Sequence, residues 1–217
     1  MMAHFLMQAI AGAARRRATT GGSPYVFADD FEAYADAAEA TASNNWVSTG
    51  TPTFGYSTSP LQGSRSLMIN GLPTATSKSF AAGDDPWIYF RFRVNDTAFG
   101  QTIITLLGSD GSTVAVLSLL AGGKLSAKIG VGTSTDTSPG AVTGNTNYSV
   151  WLSHSTTSGK LDVYTSLSET RPDEPSLSDL GSASTATKVR FGPGASSKTL
   201  IWDKLRVSAS EIGSDPA

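Results

Sequence analysis

Trp87-Ile88-Tyr89-Phe90-Arg91-Phe92-Arg93-Val94 alternates along its whole length. Side chains of an extended chain alternate between faces, so Ile88, Phe90, Phe92 and Val94 share one face while Trp87, Tyr89, Arg91 and Arg93 share the other. Aromatic and β-branched residues at period two predict a strand, bounded by Asp84-Asp85-Pro86 before it and Asn95-Asp96 after it. The first face is a core. The second interleaves two aromatics with two arginines and has two readings. Either it meets a ligand, or neighbouring strands and loops cover its rings while the guanidinium heads reach water.

Toward the N-terminus, Gly63-Ser64-Arg65-Ser66-Leu67-Met68-Ile69 reads as a turn and strand, and Lys78-Ser79-Phe80 as another short strand. Tyr25 to Glu32 is a strand running into an acidic corner, and Ala33 to Thr41 is alanine-rich enough for a helical turn or two. Asn44-Asn45-Trp46 opens a loop with a core-like tryptophan. Toward the C-terminus, Gln101 to Gly108, Thr113 to Leu120 and Lys124 to Gly130 form a meander with turns at Ser109-Asp110-Gly111 and Ala121-Gly122-Gly123. These strands are apolar on both faces, Ile103 and Leu107 opposing Ile104 and Leu106, and Val114 and Val116 opposing Leu117 and Leu119. Such strands expect cover on both sides. A polar loop from Thr133 to Asn147 leads into strands at Tyr148 to His154 and Leu161 to Tyr164. Arg171-Pro172-Asp173-Glu174-Pro175 marks a surface excursion, Lys188 to Phe191 and Leu200 to Val207 are the last strands, and the tail from Glu211 is polar.

Charged residues are 16% of the 217-residue chain, against about 25% in average soluble domains. Ser, Thr, Gly and Ala fill the deficit, as in turn-rich all-β proteins. The balance of 16 Lys+Arg against 18 Asp+Glu gives no global field that would recruit nucleic acid or a membrane surface. There are no cysteines, so the fold holds without disulfides or thiolate-bound metal.

Three segments follow: an arm and linker over 1–24, a domain over 25–210 and a short tail over 211–217. Met2 to Arg17 reads as a helix, apolar nearly all round and closed by Arg15, Arg16 and Arg17. Its charge follows the apolar run instead of preceding it, opposite to a secretory signal, and the run is shorter than a membrane span. A short apolar helix is marginal alone, so Phe5, Leu6 and Ile10 are expected to dock into a partner or a bundle of copies. Ala18 to Pro24 has linker composition.

Phe27-Ala28-Asp29-Asp30-Phe31-Glu32, the Gly63 to Leu67 turn and strand, Trp87 to Val94, the Tyr148 to Tyr164 pair and the closing Ile201-Trp202-Asp203-Lys204-Leu205-Arg206-Val207 together resemble the concanavalin A-like lectin/glucanase jelly roll in its broad, laminin-G-like sense. The resemblance covers about Tyr25 to Ser208. It implies an all-β, antiparallel jelly-roll sandwich with first and last strands adjacent. The arm, arginine run, Gly-rich linker and Asp-Asp-Phe opening resemble virion proteins of tailed bacteriophages. That likeness implies a non-enzymatic particle component (fibre, tail or capsid decoration) assembled in the host cytoplasm, held to other virion proteins by its arm and displaying the sandwich toward host glycans. The alternatives are a bacterial carbohydrate-binding or adhesion module and, more remotely, a divergent glycosidase.

Glucanases of this fold carry a Glu-x-Asp-x-Glu strand, and glycoside hydrolysis needs a carboxyl pair across the bond. No such triplet exists here, and there is no Gly-x-Ser-x-Gly elbow, phosphate-binding glycine loop or zinc spacing, so no catalytic residue is expected. For glycan binding the candidates are Trp87, Tyr89, Arg91 and Arg93, with Trp46, Tyr56 and Trp202 behind them, because sugars stack on rings and accept from planar donors. If first and last strands are neighbours, Asp29, Asp30, Glu32 and Asp203 could converge on a structural calcium ion. The competing reading has them capping turns and bonding backbone. The arm helix and the two-faced meander together lead to the expectation that copies associate as a homo-oligomer.

Overall fold

The computed structural model describes residues 24–98, 100–130, 132–137, 140–181, 184–192 and 198–214. The arm candidates Phe5, Leu6, Ile10, Arg15, Arg16 and Arg17 lie outside them. In chain order the elements are β1 (Phe27–Asp29), α1 (Ala37–Ala42), β2 (Trp46–Thr49), β3 (Thr53–Tyr56), β4 (Ser66–Asn70), β5 (Thr74–Ser77), β6 (Trp87–Val94) and β7 (Gln101–Leu107). There follow β8 (Thr113–Leu120), β9 (Lys124–Ile129), β10 (Thr135–Asp136), β11 (Tyr148–Ser155), β12 (Lys160–Ser166), β13 (Leu177–Leu180), β14 (Lys188–Phe191) and β15 (Thr199–Ser208). No helix among the described residues is long and apolar enough to cross a membrane.

Two antiparallel sheets pack face to face. One runs β13-β12-β11-β6-β15-β4-β3, and the other β10-β9-β8-β7-β14-β5-β2. β1 pairs with β15 from Phe27 opposite Val207 to Asp29 opposite Leu205, while β4 takes the other end of β15. First and last strands are therefore neighbours, as the resemblance implies. β6 lies between β11 and β15, and Ile88, Phe90, Phe92 and Val94 are all buried in the inter-sheet core. Phe90 and Phe191 meet edge to face at 6.0 Å, and Phe191 stacks on Trp46 at 5.9 Å, joining the two sheets through rings. Full burial of each such ring contributes about 1.5–3 kcal/mol.

The corner after β1 is fixed by Asp29. Its carboxylate accepts from Phe31 N at 2.8 Å, Tyr34 Oη at 2.6 Å and Trp46 Nε1 at 2.7 Å. Phe31 is held at φ 60°, an unusual backbone for a ring-bearing residue that these bonds secure. α1 opens on Asp36, which accepts from Ala38 N and Glu39 N, while Glu39 accepts from Ala35 N in return.

Two expectations about strands change. Trp46 begins β2 instead of a loop, and the strand near Phe80 is Thr74–Ser77, with Phe80 packed beside it. The two-faced meander also resolves within one chain. Between Thr102 and Ile104, β7 carries one extra residue opposite β8, and between Ala115 and Thr113, β8 carries one opposite β7. Each bulge lets two consecutive residues reach one side. Ile103 with Ile104, and Val114 with Ala115, accordingly all enter the core, as do Leu106, Leu117 and Leu119. The meander thus gives no argument for a second subunit.

Candidate functional site

The outer face of the β6 sheet holds the four glycan candidates, and it divides them into three environments over about 20 Å of strand. At one end the face is roofed. Tyr89 has no exposed surface; its ring lies 5.0 Å from that of Trp151, and burial pushes its hydroxyl up to about 12. Trp87 stacks on Tyr164 at 5.9 Å, and the Arg171 guanidinium lies 4.8 Å over Trp87 and 4.9 Å over Tyr164. The chain end completes the roof: Ile212 is buried against these rings, Trp151 Nε1 donates to Gly213 O at 3.1 Å, and Arg171 N donates to Ser214 Oγ at 3.0 Å. Tyr89 therefore offers no ring face to a ligand, and the polar tail packs on this face through Ser214. Covered rings are the alternative the alternation left open.

In the middle of the face Arg91 is tied down. Its Nη1 donates to Glu169 Oε1 at 3.1 Å and Gln62 Oε1 at 3.2 Å, and Lys204 Nζ reaches the other Glu169 oxygen at 2.8 Å. Lys204 is the extra residue of a bulge in β15, at φ 52°. That bulge turns Arg206 to the side of Asp203, so both line a pocket of about 210 Å³ with Asp30, Glu32, Gln62 and Lys204.

The acidic residues there are engaged by the protein's own donors. Glu32 accepts from Ser64 N, Ser64 Oγ and Arg65 N, bonds that hold its carboxyl low against the opposing effect of burial. Asp203 accepts from Gln62 N, Ser66 Oγ and Lys204 N, and burial pushes it up to about 7 despite them. Asp29 is committed to the corner, where burial raises its carboxyl. Two cations line the same pocket, and among the described residues no three His, Asp or Glu side chains are placed to hold a metal ion. The turn-and-backbone reading describes these acids.

The open end of the face is a cleft. Arg93 Nη2 donates to Ser59 O at 2.6 Å and Ser59 Oγ at 2.9 Å, and the arginine stands in a cavity of about 460 Å³ with Tyr56, Asn95, Asn145 and Thr199. Asn95 Oδ1 accepts from Thr199 N at 2.8 Å, bracing one wall. Tyr56 reaches the cleft through a bulge. Simple alternation would send Phe54 and Tyr56 to one side, but β3 carries one extra residue between Thr53 and Tyr56, with Gly55 at φ 72°. Phe54 stays in the core and Tyr56 turns outward. A Cβ at Gly55 would lie 2.5 Å from Ala35 O, so only glycine fits there. Thr146, adjacent to Asn145, lines a second cleft of about 570 Å³ with Thr143, Thr165, Ser166 and Leu167. Of the sequence candidates, Arg93 and Tyr56 meet here; Trp46 and Trp202 are in the core. Asn95, Asn145 and Thr199 were not singled out, because amides and hydroxyls at strand ends also read as turn residues.

Solved structures match this architecture over most of the chain. A sialidase superposes with TM-score 0.64 at 15% identity, over 87% of this chain and 19% of the sialidase. The exoplasmic/lumenal domain of VIP36 in its Ca2+/Man-bound form gives 0.55 at 10% identity, over 78% of this chain and 85% of that one. The fold is an antiparallel jelly-roll sandwich. The binding domain of botulinum neurotoxin serotype C1 gives 0.53 at 12% identity, over 77% of this chain and 44% of its own. This jelly roll thus spans about a fifth of the sialidase and under half of the neurotoxin domain. No family model matches the sequence, and no curated protein is similar to it in sequence.

Proposed function

We propose that the chain is a non-catalytic glycan-binding module, carried as the outward-facing domain of a tailed-phage structural protein with residues 1–24 as its anchoring arm. The observation that carries the binding part is the open cleft around Arg93. It combines a ring, a guanidinium, two amides and hydroxyls in a volume suited to small ligands. The bound Man of the VIP36 structure supports the same reading by fold analogy. The non-catalytic part rests on Glu32 and Asp203, whose carboxyl oxygens are engaged by backbone and hydroxyl donors of the protein itself, and on the absence of a Glu-x-Asp-x-Glu triplet from the sequence. The phage part rests on the resemblance of the arm and opening strand, against a free-standing bacterial adhesion module.

A glycan array probed with wild type and with Tyr56→Ala tests the binding. Wild type is expected to mark a subset of glycans and Tyr56→Ala to lose at least about tenfold, since ring stacking and area burial are removed together. An array without signal sinks the glycan reading. Reducing-sugar release from β-glucans is expected at background level, and release abolished by Glu32→Gln or Asp203→Asn would establish a glycosidase instead. Chelation with EDTA is expected to leave binding and melting temperature unchanged. Neighbouring genes for capsid, portal or tail proteins separate the phage reading from the bacterial one.

A further inference from the structure

The cleft around Arg93 differs in charge from the rest of its sheet face. Arg91 and Lys204 share Glu169, Arg171 pairs with Glu211, and Lys160 pairs with Asp162. Arg206 is held by the Asp29 and Leu205 carbonyls and lies 5.8 Å over the Tyr25 ring. Arg93 makes no ion pair among the described residues. Its protein partners are the neutral oxygens of Ser59, both reached through Nη2, which leaves Nε–H and the Nη1 hydrogens of a planar five-donor fork.

Among the described residues, no acidic side chain lines this cleft. The nearest acid in sequence, Asp96, is neutralised by Lys198 beside Thr199. Among the described lining residues Arg93 is the one charged side chain, beside Tyr56, Asn95, Asn145 and Thr199. A cation with spare donors in a concave site favours an anion, and a planar fork matches a carboxylate. Amides and hydroxyls beside it suit a ligand that also carries hydroxyls. Building on the proposed glycan-binding role of this cleft, we infer that its ligand is an acidic glycan, bearing a carboxylate that Arg93 takes as its missing counter-ion. The second cleft, beginning at Thr146, gives such a chain a course beyond one sugar, over hydroxyls and Leu167.

Two half-buried cations on the outer face of the opposite sheet serve as a comparison. The register places Arg190 opposite Thr105, Thr105 opposite Val116 and Val116 opposite Lys128, so Arg190 and Lys128 stand on one outer face about 14 Å apart, three strand spacings. That face supplies the control.

The experiment measures affinity of the full chain for oligosaccharides bearing uronic or sialic acids, each beside its carboxyl-reduced twin, in wild type, Arg93→Gln, Arg93→Lys, Ser59→Ala and the double variant Lys128→Gln/Arg190→Gln. Wild type is expected to prefer at least one acidic member over its twin by about tenfold or more, the loss expected for one hydrogen bond to a charged group. Arg93→Gln is expected to abolish that preference, lowering affinity for the acid by more than for its twin, and Arg93→Lys to restore part of it. Ser59→Ala, which removes one of the two oxygens that hold Nη2 but keeps the charge, is expected to reduce the preference without abolishing it, and the double variant to retain it in full. Binding of reduced twins as tight as their acids, weakened by Tyr56→Ala, would leave the glycan module standing and overturn the acidic ligand. A preference that survives Arg93→Gln, or vanishes in the double variant, overturns the assignment to Arg93. No binding to any oligosaccharide overturns both readings.

Discussion

Asp203 is 2% exposed and easier to ionise in an unfolded chain than in the sandwich, where burial pushes it up to about 7. Stability associated with its neutral form is complete below the unfolded value near 3.8 and is lost as pH rises through about 7. His154 works in the opposite sense. It is fully buried, neither ring nitrogen has a hydrogen-bond partner in the described structure, and burial pushes it down from 6.5. Its neutral form is favoured, so stability falls as pH drops below 6.5. Urea midpoints from pH 4 to 8 are expected to show a smaller loss on the alkaline side in Asp203→Asn than in wild type. They are expected to show a smaller loss on the acid side in His154→Leu. Parallel pH profiles for wild type and both variants would refute the two assignments.

At the scale of elements, the chain end acts as part of the larger sheet's cover. Truncation after Ser210 removes Ile212 from the Trp151 cluster and Gly213 O from Trp151 Nε1. The expected cost is about 2–4 kcal/mol, from one lost aliphatic burial and one hydrogen bond, with a red shift of tryptophan emission as Trp151 meets water. Glu211→Gln, whose side chain is 60% exposed, is expected to cost under about 1 kcal/mol. An unchanged unfolding midpoint on truncation would remove the tail from the fold. The sequence revealed β6, β11, β12 and the closing strand because their alternation is strong. It hid the elements that depend on one extra residue. Alternation cannot register the bulges at Ile103, Val114, Gly55 and Lys204, and these decide that the meander is covered, that Tyr56 faces outward and that Arg206 joins Asp203. The roof over Trp87 and Tyr89 was equally hidden, since a polar tail carries no sign of where it folds back.

For the whole molecule, the bulged meander leaves the arm as the remaining ground for association. We propose that residues 1–20 bring copies or partners together. Light scattering is expected to find the full chain larger than a monomer and the form lacking Met1 to Thr20 monomeric; equal molar masses would contradict an oligomerising arm. Ligand is proposed to meet the open end of the β6 sheet. The direct measurement is titration of an isotope-labelled chain with an acidic oligosaccharide, followed by backbone and side-chain amide NMR. Shifts concentrated at Tyr56, Arg93, Asn95, Asn145 and Thr199 are predicted, with Tyr89 and Trp151 undisturbed. Shifts concentrated at Lys128 and Arg190, or none at saturating ligand, would contradict it.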